Sequence, residues 1–143
     1  MSKWVFVGIA ILAVVAGAIF AMRMLAPPPA DLDLARSKAS ANGLYTVSIE
    51  PEVEPLQQGP LHAWFVTVAA ADGRPVEDAV IAVDGGMPQH GHGLPTTPQA
   101  GAHLGEGRYR IEGVRFNMGG WWELNLTISS PVGEDSATFN IVL

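Results

Sequence analysis

Trp122-Glu123-Leu124-Asn125-Leu126-Thr127-Ile128 places a large apolar residue at every second position and a polar one between each pair. A chain with that period of two turns one face to a core and the other to water, so the stretch reads as a half-buried β-strand. The pattern repeats outward in both directions. Towards the C-terminus Ala137, Phe139, Ile141 and Leu143 alternate in the same way. Towards the N-terminus, Leu44–Ile49 places Tyr45, Val47 and Ile49 on one face, and His62–Val68 does the same with Trp64, Val66 and Val68. Ala71-Asp72-Gly73-Arg74-Pro75 supplies the residues of a tight turn, and Ala79–Val83 reads as the returning strand. Gly107–Ile111 and a short run from Val114 to Met118 complete the set. About seven short strands with Gly and Pro punctuation and no long helical period specify an all-β chain folded as a β-sandwich.

Ahead of this domain, Trp4 to Met22 carries no charge, and about 20 such residues in a helix cross the hydrocarbon of a bilayer. Residues 1–25 therefore read as a transmembrane signal anchor, with Trp4 suited to the interfacial belt. A cleaved signal peptide is the rival, with Lys3 as its basic flank and Ala16-Gly17-Ala18 as a cleavage candidate. Against it, apolar character continues through Ile19, Phe20 and Met22, past the usual h-region. Charges on both flanks (Lys3 on one side, Arg23, Arg36 and Lys38 on the other) leave orientation open on the charge rule alone. A short tail before an apolar span is similar to a bacterial inner-membrane signal anchor, which leaves Ala26 to Leu143 in the periplasm. Pro27-Pro28-Pro29 cannot continue a helix, so residues 26–42 read as a linker, with a brief helical turn within Asp31–Lys38, and residues 43–143 as the sandwich domain.

The net charge of −6, with only 8 Lys and Arg, provides no basic stripe for successive phosphates, which excludes nucleic acid as a partner class. The absence of cysteine excludes disulfides, iron–sulfur clusters, thiolate zinc and Cys nucleophiles. No Ser-His-acid constellation and no Gly-rich loop between strand and helix is present, so no enzyme is expected.

One segment fits no strand. Asp84–Gly101, DGGMPQHGHGLPTTPQAG, holds too much Gly and Pro for a regular ladder. Loops of such length in a compact domain are usually functional or disordered, and the functional reading is preferred here. It packs Met87, His90 and His92 into six positions among glycines. Neutral imidazole is the commonest protein metal ligand, and soft thioether sulfur beside it selects copper, above all Cu(I), over magnesium, calcium or zinc. Sandwich loops gather at the ends of the strands, so Met118, in Phe116-Asn117-Met118-Gly119-Gly120-Trp121-Trp122, or His103, just after the loop, is expected to complete a site begun by Met87, His90 and His92. Of the paired tryptophans, one is expected under the loop and one outward. Glu123 is expected to point outward.

GGMPQHGHGLPTTP followed by GEGRYRIEGVRFNMGGWWEL resembles the YtkA-like domain, in a wider group with FixH-type proteins, over about Val80 to Leu143. The resemblance implies an immunoglobulin-like sandwich displayed outside the cytoplasm behind one N-terminal helix, with a role in copper handling or respiratory oxidase assembly. Its Met-Pro-x-His-x-His-Gly element falls on Met87, Pro88, His90, His92 and Gly93, and its Met-x-Gly-Trp-Trp element on Met118, Gly120, Trp121 and Trp122. The expected function is a membrane-tethered, non-catalytic metallochaperone that receives or delivers copper, as Cu(I) or Cu(II), at a membrane complex such as an oxidase or a copper transporter. The alternative is a structural accessory subunit that docks on a membrane complex without metal.

Overall fold

In the computed structural model residues 3–143 are described, with side chains from Val5 onward. Met1 and Ser2, and the side chains of Lys3 and Trp4 to which a basic flank and an interfacial role were assigned, lie outside the described residues. Helix α1 (Lys3–Leu25) has 23 residues, about 34 Å at 1.5 Å each, enough to cross about 30 Å of hydrocarbon. None of its apolar span, Val5–Leu25, is buried against the rest of the chain. A helix apolar all round with nothing packed on it is compatible with a single-pass membrane anchor or a signal sequence.

The remainder forms nine strands in two antiparallel sheets. The first sheet orders β1 (Ser37–Ala39), β2 (Tyr45–Pro51), β3 (Leu61–Ala70), β7 (Arg108–Arg115) and β6 (Gln99–His103). The second orders β5 (His92–Gly93), β4 (Val80–Met87), β8 (Trp121–Ser130) and β9 (Gly133–Val142). The sandwich expectation is met, and alternation is its cause. Trp122, Leu124, Leu126 and Ile128 of β8 face Tyr45, Val47, Ile49, Trp64, Val66 and Val68 of the other sheet in one buried cluster. At roughly 1.5–3 kcal/mol for each fully buried large side chain, this face is the main source of stability.

Three local expectations are corrected. Asp84–Gly101 is not free of ladder structure: β4 runs on to Met87, β5 lies inside the segment, and β6 begins at Gln99. Glycine permits rather than prevents pairing there, because a Cβ on Gly85 would lie 2.3 Å from the Glu123 carbonyl oxygen and one on Gly86 would lie 2.4 Å from that of His92. Secondly, Asp31–Lys38 forms no helix. The sheet starts at Ser37, before Gly43, because Ser37–Ala39 pairs with Thr46–Ser48. Its anchor is Asp135, whose buried carboxylate accepts from Ser40 Oγ (2.6 Å), Asn42 N and Leu44 N. Thirdly, Gly107–Ile111 and Val114–Met118 merge into β7, with a bulge opposite the His62–Trp64 step of β3 and Gly113 in the left-handed region at φ 84°. Met118 lies beyond the strand.

Candidate metal centre

The site is built on the β4–β5 hairpin. Met87, the last residue of β4, points into the core and is 1% exposed. The chain then reverses over Pro88–Gly91. The amides of His90 and Gly91 both donate to the Met87 carbonyl (3.1 and 2.9 Å), and Gly91 adopts φ 67°, a value that glycine takes without strain. The turn pairs His92 with Met87, and residues directly opposite in a ladder share a face. The hairpin thus places His92 opposite Met87, with His90 in the turn between them.

The imidazoles of His90 and His92 have ring centroids 6.0 Å apart. Two imidazoles on one ion, with metal–nitrogen bonds of about 2.0–2.1 Å, have centroids roughly 5–6.4 Å apart for bond angles from tetrahedral to linear. The pair thus meets the spacing that shared coordination requires. His90 Nδ1 is buried without a hydrogen-bond partner, which is costly for a polar atom unless something else engages it. His92 Nδ1 lies 3.0 Å from the Gly93 carbonyl. A proton on Nδ1 donates there and leaves the Nε2 lone pair free, the arrangement in which a backbone contact orients a metal-ligating ring.

Trp122 backs the hairpin. It is fully buried, and the His92 ring meets it edge-on with centroids 5.7 Å apart. Its Nε1 donates to the Met118 carbonyl at 3.0 Å, tying the β7–β8 loop to the same pole. The Met87 methyl sits 3.2 Å from where a Gly120 Cβ would be, so the loop passes directly over the methionine. Met118 itself is 37% exposed at this pole. Trp121 turns outward, its Nε1 donating to Asn140 Oδ1. The division of labour expected of the tryptophan pair is observed.

His103 is placed elsewhere. It pairs with Tyr109 at the start of β7, its ring against that of Tyr109, and its Nε2 accepts the Gly107 amide at 2.9 Å. The site pole lies at the far end of β7, so His103 does not join Met87, His90 and His92. Adjacency in sequence misleads here because β6 runs antiparallel to β7 and brings His103 to the start of that strand.

Two neighbours escaped the sequence reading. Glu123 does point outward, but with Asn125 it lines the open cleft that also borders Met87, Pro88 and His92. Gln89 donates from Nε2 to the Pro27 carbonyl at 3.0 Å, fastening the hairpin to the segment that leaves α1. Its position between Pro88 and His90 was the available signal. Among the described residues no three His, Cys, Asp or Glu side chains gather closely enough to hold a metal.

A family model described as YtkA-like matches residues 38–127. No curated protein and no solved structure matches the chain.

Proposed function

From the premise that this chain belongs to the YtkA-like family and carries an apolar N-terminal helix of membrane-spanning length, we propose that it is a tethered copper-binding domain. It stands outside the cytoplasm and receives or passes on copper at a membrane partner such as a respiratory oxidase or a copper transporter, without catalysis. The observation that supports this reading is the hairpin turn that carries Met87, His90 and His92, with the two imidazoles 6.0 Å apart and His90 Nδ1 buried and unpartnered. The chemistry of the donors favours copper. A thioether is uncharged and soft, so it adds little for Mg²⁺, Ca²⁺ or Zn²⁺ and most for Cu(I). Met87, His90 and His92 would hold the cargo, with Met118 on the neighbouring loop as a further thioether donor. Trp122 fixes the His92 ring from behind and closes the apolar side against water.

The test is titration of the detergent-solubilised full chain with Cu(I), Cu(II) and Zn(II), followed by tryptophan emission, to which Trp122 beside His92 contributes. Copper binding tighter than micromolar, with emission quenched and both effects lost in H90A/H92A, is the expected outcome. A protein that binds no copper, or one whose binding survives the double substitution, overturns the reading.

A further inference from the structure

The chain between α1 and the sandwich is short at one point and fastened there. Pro27 is two residues beyond Leu25, at most about 7 Å of extended chain, and Gln89 Nε2 holds its carbonyl at 3.0 Å. The end of the sandwich bearing the β4–β5 hairpin is thus the end nearest the exit of α1. The β2–β3 and β7–β8 loops lie at the same end, joined by hydrogen bonds from the Gly59 amide to Phe116 O and from Gln58 Nε2 to Asn117 O. Val53 and Met118 project from these loops, and Leu61 from the start of β3, with 66%, 37% and 65% of their surfaces exposed.

The two ends differ in charge. At the hairpin end Glu54 is paired with Arg36, and Glu52 and Glu112 share Arg110, while the charge of Arg115 is offset by Glu123 on the cleft beside the hairpin, so this end is close to neutral. At the opposite end Asp72, Glu77, Asp78, Glu106 and Glu134 are exposed, with Arg74 and Arg108 as the basic residues among them, Arg108 reaching back to Glu50. Exposed apolar side chains occur there too, at Val80, Leu104 and Val132, so exposure alone does not distinguish the ends. The tether and the charge do. An acidic end is repelled by anionic headgroups over about a Debye length, and a near-neutral end with apolar tips is not.

We propose that the sandwich docks on the lipid surface through its hairpin end, with Val53, Leu61 and Met118 among the headgroups and the acidic end directed away from the bilayer. The occupant of this surface is the lipid layer that holds α1. The inference requires α1 to remain attached and does not depend on whether the pole binds metal.

The absence of cysteine makes single-site labelling clean. Val53→Cys, Leu61→Cys, Leu104→Cys and Val132→Cys, all at exposed positions, are each labelled with a fluorophore. The full chain is then reconstituted in phosphatidylethanolamine and phosphatidylglycerol vesicles containing a nitroxide on the headgroup. β8 has 10 residues, about 33 Å at the usual rise, so the two ends differ in height by more than contact quenching reaches. The expected result is loss of most of the emission at Val53 and Leu61, with Leu104 and Val132 unchanged. Equal emission at all four positions, or quenching of the Leu104 and Val132 pair instead, overturns the proposal. So does protection of Val53 and Leu61 in native membranes but not in pure lipid, since that result assigns the surface to a protein partner.

Discussion

Gly86→Ala is the sharpest perturbation of the candidate centre, because it adds one methyl group outside the ligand set. The new Cβ would lie 2.4 Å from the His92 carbonyl oxygen, 3.0 Å from Gly93 Cα and 3.2 Å from His92 C. All three are backbone atoms, so no side chain can rotate aside. Reaching even 3.0 Å requires β5 to move by about 0.6 Å, comparable to the half-ångström tolerance of a preorganised site. The movement falls on His92 itself and on its pairing with Met87. Overpacking of this kind costs about 1–3 kcal/mol, and displacement of a ligand's support lowers metal affinity roughly 10- to 100-fold, or about 1.4–2.7 kcal/mol of binding free energy. Gly101→Ala serves as the control, since its Cβ would meet the Arg110 carbonyl oxygen at an ordinary 3.4 Å. Copper affinity by competition titration and stability by thermal melting are measured on both variants. If Gly86→Ala melts lower yet binds copper as tightly as Gly101→Ala, His92 is not part of the centre and the reasoning fails.

Trp122→Ala should cost about 3–5 kcal/mol, the usual range for emptying a fully buried indole site, and lower the melting temperature by ten degrees or more. Trp122→Phe keeps most of the volume but leaves the Met118 carbonyl without its donor, so a loss nearer 1 kcal/mol is expected by calorimetry. His103→Ala should leave copper affinity unchanged while destabilising the fold by about 1 kcal/mol through the freed Gly107 amide; a tenfold loss of affinity would contradict its placement away from the site. Asp135 gives a pH signature. Burial acts to raise its pKa, but hydrogen bonds from Ser40, Ser136, Leu44 and Asn42 outweigh it and hold the carboxyl well below the usual carboxylate range. The stability it contributes is complete above its unfolded pKa of about 3.9 and is lost as pH falls through the lower folded value. Asp135→Asn should therefore melt lower at neutral pH and show a flatter acid limb by circular dichroism, the gap from wild type closing as pH falls.

The alternation in Leu44–Ile49, His62–Val68 and Trp122–Ile128 determined by itself the strands, their inward faces and the two-layer core, because period-two burial is a property of each strand alone. The apolar run from Trp4 to Met22 likewise determined a helix with no place in that core. The nearness of Met87, His90 and His92 along the chain was legible too, since they share one tight hairpin turn. Tertiary structure decided the rest. Gly85 and Gly86 read as breakers but serve as strand residues, for their bare backbone admits the carbonyls of His92 and Glu123, a contact that depends on neighbouring strands. His103 follows the hairpin in sequence yet sits at the other end of the sheet, because β6 runs antiparallel to β7 and brings it to the start of that strand. Ser37–Ala39 became a strand by pairing with Thr46–Ser48, the turn between them held by the carboxylate of Asp135, 95 residues from Ser40. Periodicity reports what a residue faces within its own element. Which elements meet, and therefore whether a ligand set closes, is determined by packing between segments far apart in the chain.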